Sequence, residues 1–347
     1  MSWHLDDLAC FDAHAARWTE LSESQHCHPF LRVDLIKCAA RHFGGHLLVG
    51  TYESGGDIRA MILLRSRSRW VYETFAPSQL PFALVVADPA LDLSGALTEL
   101  PSALPRNALL LSLMHVDTRY LDIPADGSVI RRIPYAETVS IEGVSTSSDY
   151  VASRSKKLRD NMKRYQKRLA GAFSSVDLKV LAATDEMRHV VEEHGELEAQ
   201  GWKGREGSAL SQSSAQTSFY VEALQGFADT GRAIGYQLIA DGRIIASRFG
   251  IMSNGIFVFL KTAYSEDFRE LAPGRALQWL AISHLLDDLR PTAIEFYTKA
   301  NVDQLQWGTS NRMIWHYDVA RSQSTAFAID IARRLHRMFP RRSTGSK

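Results

Sequence analysis

Apolar residues recur at helical spacing from Asp12 to Phe43, broken at Pro29, whose missing N–H suits a turn or a helix start, so two helices are expected there. His46–Tyr52, Ile58–Arg65 and Trp70–Phe75 read as three strands, with Gly55-Gly56 able to supply the positive φ of a hairpin turn. Leu109–Met114 is a further short apolar strand, and Val129–Val139 mixes β-branched residues with Arg131 and Arg132. The polar run Ser145–Asp149 that follows is the expected boundary between two domains, 1–148 and 149–347.

Beyond the boundary, SRSKKLRDNMKRYQKRLAG places Leu158, Met162, Tyr165 and Leu169 on one helical face and most of its Lys and Arg on the other. Such a face is either a solvated surface or an arm that contacts an anion. Val176–Leu181 then reads as a strand, Asp185–Gln200 and Ser214–Asp229 as helices, and Ala233–Ala240, Ile244–Met252 and Ile256–Lys261 as a meander. Its turns, Asp241-Gly242 and Asn254-Gly255, favour the type I′ geometry that matches strand twist. A helix from Arg275 to Leu289, a strand from Ala293 to Tyr297 and a last strand near Met313–Val319 complete the pattern. The first half, with two helices before a meander, has the order of a degenerate copy of the second; no residue-level repeat accompanies it. The fold class is therefore α+β, with a mixed sheet.

With 347 residues and 45% apolar composition the chain can bury one large core or two ordinary ones, and its length favours two. A formal charge of +1 provides no global field for DNA, so an anionic ligand needs a local site. Cys10, Cys27 and Cys38 fit no common zinc or disulfide spacing, which points to a reducing, cytoplasmic setting. The N-terminus has Asp6 and Asp7 where a signal peptide carries positive charge, and no apolar run is long enough to span a bilayer. His42 and His46 flank Gly44-Gly45, and His26 and His28 flank Cys27; neither set has a carboxylate or further sulfur at ligand spacing, so no metal is expected.

The segment Leu271-Ala272-Pro273-Gly274-Arg275-Ala276 opens the long helix. Its first amides lack intrahelical acceptors, the macrodipole adds partial positive charge, and Gly274 lets backbone approach a ligand closely. A diphosphate fits such a turn, and Arg275 can add a charge-assisted contact.

Gly201-Trp202-Lys203-Gly204-Arg205-Glu206-Gly207-Ser208-Ala209-Leu210, Asp241–Ala246, Leu260-Lys261-Thr262-Ala263-Tyr264 and Ala272-Pro273-Gly274, in this order, resemble the acetyltransferase family of bacterial cellulose and exopolysaccharide biosynthesis. That family is related to the Fem-type peptidyltransferases and lies in the GNAT superfamily of acyl-CoA N-acyltransferases. The match covers about residues 150 to 320, with a weaker one at Pro29-Phe30-Leu31 and Phe43-Gly44. The resemblance implies a tandem GNAT-like fold and acyl-CoA, acetyl-CoA for example, as co-substrate. The donor diphosphate would lie on Ala272, Gly274, Arg275 and Ala276, and its pantetheine arm along a splayed strand edge at Phe259 and Leu260. Two departures weaken the transfer of substrate: Ala272 stands where the family has Ser, and Phe296-Tyr297-Thr298-Lys299 replaces acidic or small polar residues after the fifth strand. Trp307 stands where the family keeps a tryptophan.

Acyl transfer to an amine needs positioning, a polarised thioester and removal of a proton, without a covalent nucleophile. Glu198 is the candidate base, with Glu196 behind it, although both are also ordinary helical acids. Lys261 follows the apolar strand where the thioester would lie, and Tyr264 is a candidate proton donor to the leaving sulfur; either can instead be packing. Trp202 and Lys203, between glycines, are candidates to close over the acceptor, or else a buried anchor tryptophan and a surface lysine; Trp307 is a further substrate-binding candidate. The expected reaction is acyl-CoA-dependent N-acylation of a sugar-like or amino-acid-like metabolite, such as a glycan precursor. One alternative is a Fem-type transfer from aminoacyl-tRNA, for which Lys156, Lys157, Arg159, Lys163, Arg164, Lys167 and Arg168 are the concentrated basic residues. Another is a binding protein that kept the fold and lost the chemistry. The basic C-terminal segment IARRLHRMFPRR is either a frayed helix end or a peripheral contact with anionic lipid.

Overall fold

The structure is a computed structural model that describes residues 2–124, 129–200, 210 and 215–338. The first half runs β1 (Ser2–Asp7), α1 (Phe11–Ser22), α2 (Val33–Phe43), β2 (Leu47–Ser54), β3 (Asp57–Ser68), β4 (Val71–Thr74), β5 (Val85–Ala87), α3 (Leu93–Ala103), β6 (Leu110–Asp117) and β7 (Ile130–Glu142). The second opens with α4 (Ser147–Ser153) and α5 (Lys156–Ala172), then β8 (Val176–Leu181), α6 (Glu186–Gln200), α7 (Ala215–Ala228), β9 (Ala233–Ala240), β10 (Arg243–Ser253) and β11 (Ile256–Tyr264). It ends with α8 (Pro273–His284), β12 (Ala293–Glu295), a short α9 (Val302–Leu305), β13 (Ser310–Ala320) and α10 (Gln323–Met338).

All the strands join one mixed sheet, ordered β1-β2-β3-β4-β6-β13-β7-β12-β11-β10-β9-β8, with β5 beside β3. From either edge the same plan runs inward: four antiparallel strands, a fifth parallel to the fourth, and then a strand from the other half. Thus β13 lies against β6, and β7 lies against β12. Each half contributes its last strand to the other, and the two exchanged strands pair along the middle.

Helices α1, α2, α6 and α7 cover one face, where Trp18, Leu35, Ile36, Met187, Val190, Phe219 and Leu224 share a core with both halves of the sheet. On the opposite face α3 packs on the first half, while α5 and α8 pack on the second in a core holding Leu158, Met162, Tyr165, Leu169, Leu277 and Ile282. The apolar stripe of α5 is therefore its buried face, and Lys156, Lys157, Lys163, Arg164, Lys167 and Arg168 are exposed.

The exchange is tied by charge. Arg312 on β13 donates from Nε to Asp117 Oδ1 at 2.8 Å and from a terminal nitrogen to Glu295 Oε2 at 2.8 Å. Asp117 ends β6 and Glu295 ends β12, so one guanidinium holds the parallel strand of both halves. Burial pushes the Glu295 carboxyl up, and Arg312 opposes it. A lysine cannot form this fork. R312K is expected to lower unfolding free energy by about 1.5–3 kcal/mol in urea titration, the range for charged hydrogen bonds; an unchanged midpoint would deny the guanidinium this role.

The structure differs from the sequence reading at several places. The strand Ser2–Asp7 precedes the two helices, so the first half repeats the order of the second from β8 onwards, strand, two helices, meander, helix and strand, with β5 added. Helix α3 and strand β5 lie in a stretch for which no element was expected; α3 contains Pro101, which obscures its helical pattern. The strand expected to stop at Lys261 continues to Tyr264, so Lys261 and Tyr264 lie within β11 rather than after it. The boundary at 148 falls inside α4. Both dipeptide turns have positive φ at each residue, 45° and 77° at Asp241-Gly242 and 46° and 76° at Asn254-Gly255. Among the described residues no helix is long and apolar enough to cross a membrane.

Candidate active site

The sheet opens at one place in the second half. Ile256, Phe257 and Val258 of β11 pair with β12, and the ladder stops there. From Phe259 to Tyr264, β11 pairs with β10 on one side only among the described residues, so its other backbone edge is available to a ligand. A bulge lies at the same point: Phe249 faces Lys261 while Gly250 faces Phe259, leaving Leu260 as the extra residue. Gly250 permits it, since a Cβ there would lie 2.5 Å from the Val258 carbonyl oxygen. The extra residue also resets side-chain alternation, so that Phe259 packs towards α8 while Leu260 and Lys261 both turn towards α6.

On the α8 face a cavity of about 780 Å³ lies against the turn Ala272-Pro273-Gly274. Ala272 is left-handed, φ 55° and ψ 49°, and no side chain caps the helix. Gly274 is too early in the helix for its amide to have an intrahelical acceptor. Arg164, Arg168, Arg269 and Arg275 line the cavity against the carboxylates of Glu270 and Asp303, so its field favours an anion. Arg275 donates to the Tyr165 hydroxyl at 2.8 Å and pairs with Asp303. Tyr264 and Trp307 line the same cavity, and Ala276 is buried just behind it. In the first half, the matching helix α3 is closed instead: Asp92 accepts from the Gly95 amide at 3.1 Å, which places a carboxylate where an anion would bind.

Beneath this cavity, Arg248 is buried with its guanidinium carbon 3.7 Å from the Phe259 ring centroid and 5.4 Å from that of Phe296, the residues on either side of the opening. It donates to Gln278 Oε1 at 2.9 Å, and its Nε has no hydrogen-bond partner. Burial lowers its pKa to about 9, so it stays charged at neutral pH, and no carboxylate is among the groups that shift it.

On the α6 face Glu198 is almost fully enclosed, 1% exposed in its side chain. Its Oε2 accepts from the Leu210 amide at 3.0 Å, and its Oε1 lies 3.6 Å from His194 Nε2 and 3.9 Å from Lys261 Nζ. His194 Nδ1 is 3.1 Å from the Ser247 hydroxyl. Lys261 Nζ lies 5.6 Å from the Tyr220 ring centroid, and burial, then the Glu198 charge, raise the Tyr220 phenol pKa.

The structure thus brings Glu198 and Lys261 together on one face, and Tyr264, Gly274, Arg275 and Trp307 together on the other. Trp202 and Lys203 lie outside the described residues. His194, Ser247, Tyr220 and Arg248 were not anticipated. A signal existed for His194, which precedes Glu198 by one helical turn; Ser247 and Arg248 carry no local mark in their strand.

Residues 156–302 match the acetyltransferase (GNAT) domain family, and the chain thus carries a GNAT-type acyltransferase domain. Among solved structures it is similar to FemX, at 11% identity and a TM-score of 0.57, covering 93% of this chain and 98% of that one. It is also similar to a C-terminal DUF2156 domain from Agrobacterium fabrum, at 12% identity and a TM-score of 0.56, covering 92% and 97%. L-PGS from Bacillus licheniformis matches at 12% identity and a TM-score of 0.51, covering 87% and 95%. These likenesses concern the fold. Comparison with curated protein sequences finds no match.

Proposed function

We propose that the protein is an acyl-CoA-dependent N-acyltransferase that acylates the amine of a sugar-like or amino-acid-like metabolite, with polysaccharide precursors as the favoured class. One observation carries this reading: the free edge of β11 runs from an uncapped, arginine-lined helix start on one face to a buried carboxylate on the other. The donor diphosphate lies on the Gly274 turn, and pantetheine amides pair with the edge from Phe259 to Tyr264. The thioester carbonyl then reaches the bulge at Leu260, whose ladder is interrupted and whose backbone can polarise it.

The acceptor amine enters from the α6 face. Its nitrogen attacks the thioester carbon while Glu198, directly or through water, takes the amine proton, with the Lys261 ammonium 3.9 Å from that carboxylate. The C–S bond then breaks, and the thiolate leaves on the cavity face, where water supplies a proton; Tyr264, packed on Gly274, lies at the diphosphate end of the edge. Arg248 faces carbonyl oxygens of the donor arm, where its Nε gains the acceptor that the interior does not supply. R248M is therefore expected to make the ligand-free protein more stable, by about 1–3 kcal/mol, because a buried cation without a counter-charge is costly. The same variant should show a smaller thermal shift on adding acetyl-CoA. A less stable R248M protein with an undiminished shift would mean that Arg248 serves packing alone.

Titration with acetyl-CoA, followed by thermal unfolding or calorimetry, tests the reading as a whole. Ligand at about 100 times its Kd should stabilise the protein by about 2.7 kcal/mol. A second reading, transfer from aminoacyl-tRNA, is favoured by the exposed basic face of α5, which reaches the cavity through Arg164 and Arg168. It predicts stabilisation by tRNA and none by acetyl-CoA. Inertness to both would leave a binding protein without this chemistry.

A further inference from the structure

Far from the opened edge, the first and second halves meet where α2 packs on α7, and a mixed set of metal-ligand atoms converges there. Cys38 and His42 are one turn apart on α2 and so share a face. Glu222 reaches them from α7, 180 residues beyond His42 in the chain. Cys38 Sγ, a His42 ring nitrogen and a Glu222 carboxylate oxygen all lie within 4.8 Å of one another. His42 Nε2 is 2.8 Å from Glu222 Oε2, and the Cys38 thiol lies 3.7 Å from the Phe219 carbonyl oxygen one turn earlier on α7.

We infer that Cys38, His42 and Glu222 form a binding site for a zinc-class divalent cation that clamps the two halves together, with water in the fourth position. Sulfur, imidazole nitrogen and carboxylate oxygen are together the donors that a borderline-soft, tetrahedral cation takes. Bond lengths of about 2.0–2.3 Å place tetrahedral nitrogen and oxygen about 3.3 Å apart and the sulfur about 3.5 Å from each, so the sulfur must approach by up to about 1.3 Å while the His42–Glu222 pair, now at 2.8 Å, opens by about 0.5 Å. Arg41 pairs with the other oxygen of Glu222, an outer contact that orients a ligating carboxylate.

Loading the site is a proton-for-metal exchange: the Cys38 S–H bond breaks, its proton goes to solvent, and the thiolate bonds to the metal. The histidine–carboxylate hydrogen bond is exchanged for two metal bonds. No electron transfer or co-reactant is involved. Sequence spacing hides such a site, since only the two α2 ligands are local and the third comes from the other half.

The full chain, stripped with a chelator, should bind one equivalent of Zn2+ in competition with a chromophoric indicator and unfold at higher temperature when loaded. Co2+ should give the visible bands of a tetrahedral ion and a thiolate charge-transfer band. C38S and H42Q should each weaken Zn2+ binding at least ten-fold and remove or shift that band, whereas C27S should leave both unchanged. Circular dichroism of each metal-free variant checks its fold separately. Absence of binding by the parent, or binding untouched by C38S and H42Q, overturns the inference. Neither result bears on acetyl-CoA binding at the opened edge.

Discussion

E198Q enzyme is expected to bind acetyl-CoA as the parent does and to transfer its acyl group about 100- to 10,000-fold more slowly, the range lost with a positioned general base. The amide has nearly the shape of the carboxylate, and its oxygen can still accept from the Leu210 amide, so the helix end stays anchored. What it cannot do is take a proton. The effect should therefore fall on turnover rather than on donor affinity, read as release of CoA thiol with an amine that the parent acylates. E198A is the less informative variant, because it removes the acceptor of a buried N–H and the carboxylate facing Lys261, and so costs stability as well. Unaltered turnover by E198Q would return Glu198 to a structural role and leave proton removal to another group.

Much of the fold was legible because its local rules agree. The Asp-Gly and Asn-Gly turns fix a meander whose strands lie within a few residues of their expected limits, and the apolar stripe of α5 at Leu158, Met162, Tyr165 and Leu169 is its buried face. The exchange of β7 and β13 was not legible, since strand order depends on pairings between residues as distant as Ser140 and Ser310. Nor was the full length of β11. Its last residues, Lys261, Thr262 and Tyr264, are polar or half-exposed, because the strand leaves the core there and becomes an edge. That loss of apolar signal and the opening of the sheet have the same physical cause.

The site divides in the same way. The anion-binding turn could be read from Ala272-Pro273-Gly274, because a helix start is a local event. The partners of Glu198 could be read only in part: His194 lies one turn away on the same helix, whereas Lys261 reaches it through a bulge that reverses the side-chain alternation of β11. Simple alternation from Phe259, which packs towards α8, would have sent Lys261 to that face and away from the carboxylate. The bulge thus does two things at once. It frees backbone at Leu260 beside the opened edge, and it brings an ammonium to the face from which the amine is proposed to enter.

G274V protein should lose at least about 100-fold in affinity for acetyl-CoA, about 2.8 kcal/mol at 1.4 kcal/mol per decade, while remaining folded. A Cβ at this position would lie 3.1 Å from Tyr264 Cδ1, tighter than ordinary packing, and 3.5 Å from its Cγ, an ordinary contact, and the branched methyls extend further. The tyrosine is 41% exposed and can swing outwards, so the clash is relieved at little cost in stability and at the expense of the cavity it lines. The added side chain also stands between the ligand and amides that have no partner in the helix, which a diphosphate must approach closely. G274A, with the Cβ alone, should fall between valine and the parent. The double variant Y264A/G274V separates the two causes. Recovered affinity would assign the loss to the displaced ring, and persistent loss would assign it to the blocked backbone. Calorimetric titration that finds parent-like affinity in G274V would remove this turn from the donor site, whatever Glu198 does on the other face.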